Sequence, residues 1–280
     1  MNDECPKDEC RTGHSRFIRH SSFVILPMSI AENLRRVQER IARAAESAGR
    51  RADDVMLVGV TKYVGPREAL QLAADGCTDL GESRPQELWK KAEALQRAGG
   101  RAPSAADGRP PAIRWHLVGH LQRNKVRRTL PLMSLIHSVD NERLLAAIND
   151  ERAAELPLPL GEGRGEGALP APIDVLLEVN TSGEPAKHGL APDAVEHVLA
   201  VAPHYPHVAI CGLMTMAALE GGAEVAAKNF AALRNLRDRL KPIAPTCVHL
   251  DELSMGMSGD FEVAIREGAT IVRIGSALWE

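Results

Sequence analysis

Lys62 closes the apolar run VMLVGVTK, so a lone ammonium stands where a buried strand meets a loop. Burial lowers a lysine's pKa and frees its amine to attack a carbonyl, so this position points to Schiff-base chemistry. The competing reading is a solvated lysine that merely ends a strand. A second group of residues lies far along the chain, where LSMGMSGDFEVAIREG passes through Gly256 and Gly259 into a helix start. Glycines permit the tight backbone that aims several N–H groups at one anion. Ser254 and Ser258 add hydroxyls, and RIGSALW adds Gly275, where backbone can approach a ligand closely, and Ser276. For an anion to bind, Asp260 and Glu262 must face away. Otherwise Ser258 is a helix cap followed by acids that complement the helix dipole.

These residues need elements that bring them together. From Met28 onward, IAENLRRVQERIARAAESAGR repeats apolar positions at helical spacing and stops at Gly49. Short β-like runs follow: VMLVGVTK (55–62), TDLGES (78–83), IRWHLVG (113–119), SLIHSVD (134–140), IDVLLEVN (173–180), VAICGLMTM (208–216), VHLDELSMG (248–256) and TIVRIGS (270–276). Helical patterns such as PREALQLAADG and EVAAKNFAALRNLRDRLK separate them. Eight β/α repeats predict an α/β protein, a single (β/α)8 TIM barrel.

In that fold the chemistry sits at the C-terminal ends of the strands, and the loops after strands seven and eight recur as a phosphate site. The expected rim gathers Lys62, Glu82, Ser83, His116, Asn180, Thr215, Ser254 and Arg273. A lysine on strand one facing a phosphate cup on strands seven and eight describes a holder for a phosphorylated aldehyde. Pyridoxal 5′-phosphate fits, with its aldehyde on Lys62 and its phosphate on the cup. Arg273 beside the pyridine nitrogen would keep that nitrogen unprotonated and weaken the ring as an electron sink. An arginine in a structural ion pair is the other reading.

Bulk properties exclude several partners. The 280 residues carry 34 Lys+Arg against 37 Asp+Glu, a formal charge of −3, which gives no global attraction to nucleic acid or anionic lipid. Aromatics at 3% leave no stacking platform for single strands. Cys5, Cys10, Cys77, Cys211 and Cys247 are odd in number and scattered, with no signal peptide ahead of them, which favours a reducing cytoplasm. FVILPM is far too short to span a bilayer. Residues 1–27 lack periodicity and read as a disordered extension, and the barrel is expected over 28–280. Within the extension Cys5, Cys10, His14 and His20 match no common zinc module. The Gly/Pro-rich stretches 99–112 and 156–172 read as flexible inserts. The glycines at 161, 163, 165 and 167 lie in the second insert without the strand and helix that a dinucleotide site needs.

LVGVTK, DLGES with PQEL, WHLVGHLQRNK, IHSVD, LLEVNTSGEPAKHG, GLMTM, LSMGMSGDFEVAIREGATIVRIG and SALW run in one order through residues 28–280. In these motifs the sequence closely resembles the pyridoxal phosphate homeostasis proteins, single-domain relatives of the N-terminal barrel of alanine racemase. The resemblance implies a fold-type III barrel in which Lys62 holds pyridoxal 5′-phosphate as a Schiff base. It also implies phosphate contacts from Ser254, Gly275 and Ser276, with Arg273 near the ring nitrogen and Asn180 and Met214 lining the pocket. Met255 and Ser258, on the same cup loop, complete the expected cofactor-binding set. His116, Asn124, Lys125, Lys187 and His188 also fall on matching motifs. Ser83 stands where the family usually has asparagine, and a last helix after Gly275 is expected to fray.

The same residues bear on whether the protein turns anything over. Alanine racemase-like enzymes use a tyrosine from a partner subunit and a C-terminal β domain, which this chain is read as lacking. Its tyrosines are Tyr63, directly after the lysine, and Tyr205, in a loop. Racemisation needs positioned groups on both faces. The expectation is therefore a monomeric carrier with no or very weak catalytic activity, which buffers the cofactor and hands it to apo-enzymes. The alternative is a pyridoxal phosphate-dependent amino-acid racemase with His116 as the second base. A third reading, a zinc hydrolase on His116 and His120 of HLVGH, lacks the associated glutamate.

Overall fold

Alternating runs of strand and helix close on themselves in the computed structural model, which describes residues 29–97, 112–154 and 171–280. The readings of residues 1–27, and of nearly all of 99–112 and 156–172, lie outside these. In chain order the elements are α1 (Ile30–Ser47), β1 (Met56–Val60), α2 (Pro66–Ala74), β2 (Asp79–Glu82), α3 (Pro85–Arg97), β3 (Arg114–Leu117), α4 (Val126–Thr129) and β4 (Met133–Val139). They continue with α5 (Glu142–Ala154), β5 (Ile173–Glu178), α6 (Val195–Val201), β6 (Val208–Met214), α7 (Gly222–Leu240), β7 (Glu252–Ser254), α8 (Phe261–Arg266), β8 (Ile271–Ile274) and α9 (Ser276–Trp279). Each strand pairs in parallel with the next and β1 pairs with β8, so the predicted eight-stranded barrel is the one observed.

Ser29 starts the helical layer. Its hydroxyl accepts from the Glu32 amide while the Glu32 carboxylate accepts from the Ser29 N–H, a reciprocal cap that satisfies two donors left over at a helix start. Leu34, Val37, Ile41, Ala44 and Ala45 then recur on one face and are buried, packing α1 against α8 and α9. The last turn is not frayed. The Trp279 indole donates to the Val60 carbonyl at 2.9 Å and the buried Asn33 amide donates to the Leu278 carbonyl at 3.3 Å.

Strand residues alternate between two cores. Leu80, Trp115, Leu117, Ile136, Val175, Leu177, Leu253, Val272 and Ile274 join the large cluster between barrel and helices. Val58, Leu135, Leu176, Met214 and Ile271 form a separate cluster inside the barrel. Residues in register with the second set therefore point inward. They include Asp79, His116, His137, Glu178, Ser254 and Arg273, all buried. This interior is unusually polar, and that polarity shapes the site. The strands are shorter than the apolar runs: β7 covers three residues where nine were expected, although the His249 and Asp251 amides still bond to Ile210 and Cys211 carbonyls. No helix among the described residues is long and apolar enough to cross a membrane.

Candidate functional site

The last ladder bond near the lysine is Thr61 N–H to the Gly81 carbonyl, 2.8 Å, and the chain turns there. Lys62 is consequently exposed, two residues beyond β1, with its Nζ 4.7 Å from the centroid of the Tyr63 ring. The burial expected of a strand-end lysine is not found. What holds the turn is a second lysine that the sequence reading passed over. Lys91, on the inner face of α3 and 3% exposed, donates to Thr61 O at 2.6 Å and pairs with Glu82. The other Glu82 oxygen accepts from the Ser83 and Arg84 amides at 2.8 and 3.3 Å. Glu82 thus turns outward to α3 and ties the loops after β1 and β2 together; it does not join the rim. Trp279, bonded to Val60, fixes the same corner from the other side.

The cup forms beside this corner. The Gly275 and Ala277 amides converge on the Ser258 hydroxyl oxygen, at 3.2 and 3.4 Å, so two backbone donors aim at one point. Gly256 makes the loop possible: its φ is +93° and a Cβ there would lie 2.6 Å from Ala264 Cβ. Gly275 is different. A Cβ on it would meet Val60 Cβ only at 3.6 Å, so the fold does not require glycine and space remains over the cup. Both acids of the loop are engaged elsewhere, Glu262 with Arg40 at 2.6 Å and Asp260 with its own Met257 amide at 2.6 Å. Met255 does not line the cup with its side chain, which belongs to the cluster outside the barrel.

Ser254 is committed inward. Its hydroxyl accepts from Arg273 Nη1 at 2.6 Å, so its own proton must go to His137 Nδ1, 2.8 Å away. His137 Nε2 then carries the hydrogen and donates to His116 Nδ1 at 3.0 Å; His116 Nε2 in turn donates to Asp79 Oδ1 at 3.0 Å. Arg114 closes the line on the Asp79 carboxylate, and Arg273 Nη2 donates to the Thr215 carbonyl at 2.9 Å. One direction of donation thus fixes both tautomers along a chain from the cup loop to the opposite end of the barrel. Burial, then His116 and Arg273, push the His137 pKa well down, as a neutral link requires. Burial lowers Arg273 to about 10 against Glu178 and Asp260, so it stays charged at neutral pH. Burial opposes the Asp79 charge, but the hydrogen bonds from His116 and Arg114 outweigh it and hold the carboxyl at about 2.

Asp79→Asn tests this line. An amide offers N–H to neighbours that are already donors, and we expect a loss of about 1–3 kcal/mol of stability at pH 7. Asp79 is more acidic folded than unfolded, so its contribution is present above its ordinary value of 3.8 and is lost as pH falls towards about 2. The difference between wild type and variant in acid unfolding should therefore shrink across that window.

Residues 29–280 match the family model described as alanine racemase, N-terminal domain. The chain is 38% identical over 252 residues to the pyridoxal phosphate homeostasis protein of Aquifex aeolicus, covering 90% of this chain and 98% of that one. The chain belongs to the pyridoxal phosphate homeostasis protein family. Another family member, from Pseudomonas aeruginosa, is 36% identical over 90% of this chain and 95% of its own. Among solved structures, PipY of Synechococcus elongatus with PLP bound superimposes with a TM-score of 0.72 at 28% identity, covering 90% of this chain and all of that one. Alanine racemase of Clostridium difficile shares the fold, with a TM-score of 0.59 at 14% identity, over 89% of this chain but only 56% of that one.

On this homeostasis-family barrel the remaining expected residues lie as follows. Met214 sits in the interior cluster. Asn180 spans its own loop, donating to the Glu184 carbonyl at 2.9 Å and accepting from Ser182 Oγ and the Gly183 amide. Lys187 donates to the Ala217 carbonyl at 2.7 Å, which pins the loop after β5 to the loop after β6. His116 is turned into the barrel, so neither the second-base role nor the pairing with His120 is available to it. His137 was missed, although period two was the signal: in SLIHSVD, Ile136 faces the helices and its neighbour must face inward.

Proposed function

We propose that the chain binds pyridoxal 5′-phosphate and takes part in its homeostasis as a reversible carrier with no or very weak turnover. The observation that carries the binding reading is adjacency. The cup, with two amides aimed at one oxygen, lies against Val60, two residues before Lys62. The cofactor supplies an aldehyde that condenses reversibly with an amine, releasing one water, and Lys62 is the amine this corner presents. Ser258, Gly275, Ser276 and Ala277 suit its phosphate, and Arg273, oriented by Ser254 and the Thr215 carbonyl, suits the ring end. The relatives' names and the pyridoxal phosphate bound to PipY support the same assignment.

The carrier reading rests on where candidate second bases lie. Tyr63 shares the turn with Lys62 and is 79% exposed. Tyr205 precedes β6, and its hydroxyl is committed to Glu142, the first residue of α5, at 2.8 Å. His116 is locked between Asp79 and His137. None of the three is set across from Lys62. Apo-enzymes that need the cofactor are the proposed acceptors, and a monomer in the cytoplasm is the proposed working form.

The purified protein is expected to show a visible band that borohydride shifts and fixes covalently, with the label on the peptide containing Lys62. A Lys62→Ala variant that kept the same fixed label would overturn the assignment. Incubation with L- and D-alanine in heavy water should leave the α-hydrogen in place; rapid exchange would favour the racemase reading instead.

A further inference from the structure

Across the mouth from the cup corner, three loops bring together side chains that the binding reading leaves unused. His120 follows β3, Asp140 directly follows β4, and His188 lies beyond β5. His120 Nδ1 is 3.4 Å and His188 Nδ1 3.8 Å from the same oxygen, Asp140 Oδ2. Those separations exceed the ordinary range of a nitrogen–oxygen hydrogen bond, so the carboxylate sits between two imidazole nitrogens without a good bond to either. The rings stack at 4.8 Å with 19° between their planes. All three candidate ligand atoms lie within 4.8 Å of one another. Ligands about 2.0–2.1 Å from a tetrahedral zinc ion are themselves roughly 3.3–3.5 Å apart, against 3.4 and 3.8 Å here from Asp140 to the two imidazoles.

The surroundings favour a cation. Asp140 Oδ1 is held by the Asn141 amide at 2.6 Å, which orients the other oxygen towards the histidines. Glu178, buried on the neighbouring strand, adds a second carboxyl, and Asp140 is among the causes that push its pKa up. Arg273 and His188 pull the Glu178 carboxyl the other way, which limits what it adds. The histidine side chains are 40% and 63% exposed, so a fourth position would open to water.

We propose that His120, Asp140 and His188 form a site for one divalent transition-metal ion of the zinc class, with water completing the shell. Two imidazoles and one carboxylate are the donors such ions select over magnesium or calcium. Bound there, the ion would clip the loop after β5 onto the loops after β3 and β4, on the side of the mouth away from Lys62.

The probe is Co²⁺ added to the full chain after chelator treatment. One equivalent should give visible d–d bands of a nitrogen and oxygen site, displaced by one equivalent of Zn²⁺. His120→Ala and His188→Ala should each weaken binding at least about 10- to 100-fold. Because both residues are solvent-facing, neither change threatens the fold. Cys5→Ser/Cys10→Ser and Lys62→Ala should leave the bands intact, which separates this site from the N-terminal cysteines and from metal held by the cofactor. Absence of bands, bands that survive loss of both histidines, or a thiolate charge-transfer band that goes with the cysteines would each overturn the proposal.

Discussion

Lys91→Met, with Glu82 left in place, is expected to lower the unfolding free energy by about 3–5 kcal/mol, because it strands a carboxylate that is fully buried. For a chain of this size that corresponds to a fall in Tm of roughly 6–20 °C. The double variant Lys91→Met/Glu82→Leu should recover most of the loss, since replacing a buried pair by apolar groups is close to neutral. A single variant as stable as wild type would show that the pair does not carry the corner. The double variant also separates stability from positioning. It removes the bond from Lys91 Nζ to Thr61 O, so the turn that carries Lys62 loses its anchor while the fold keeps its core. Slower borohydride labelling of Lys62 in a stably folded double variant is the expected sign.

Glu178→Gln should stabilise the protein at pH 8 and change little at pH 5. Burial, and then the neighbouring Asp140, raise the Glu178 carboxyl from an ordinary 4.5 to about 7, against the pull of Arg273 and His188. The folded state therefore holds a proton that the unfolded chain has already released. Stability falls as pH rises from 4.5 through about 7 and levels off above that. The full span is on the order of 3 kcal/mol, so the variant should gain about 2–3 kcal/mol at pH 8. Thermal unfolding of both proteins at the two pH values reads it directly; equal shifts at pH 5 and pH 8 would contradict the assignment. The same carboxyl opposes the lowering of the Arg273 pKa, so the variant should also change the pH profile of the bound cofactor's absorption.

The barrel was legible because apolar runs and helical stretches alternate eight times and parallel strands are buried on both faces. That Lys62 and the Ser258 loop would lie at one end of the barrel was legible because both follow the C-terminal ends of parallel strands. Three features were not. Lys62 is exposed because the apolar run outlasts the ladder: Val60 ends β1 and Thr61 makes the final bond. Lys91 drew no reading, yet in PQELWKKAEAL it lies on the stripe of Pro85, Leu88 and Ala92, where a charge must have a buried partner. Ser254 was assigned to the anion because of its place in the loop. Its alternation with Leu253 and Met255, which face the helices, sends it into the barrel to Arg273 and His137. Composition and motif order identify what a position is; only the register of each strand decides which way it looks.

The bond from Trp279 to Val60 joins residues 219 positions apart, and it has a consequence for a chain still being made. Translation at about 5–20 residues per second takes roughly 10–45 s to travel that distance. Through most of that interval the first strand has been made but neither its neighbour β8 nor the Gly275 and Ala277 amides exist. A ribosome-bound chain therefore carries Lys62 before it carries the two amides that converge on Ser258. On the proposed reading, the two halves of the site come together only when β8 closes the circle of strands on β1.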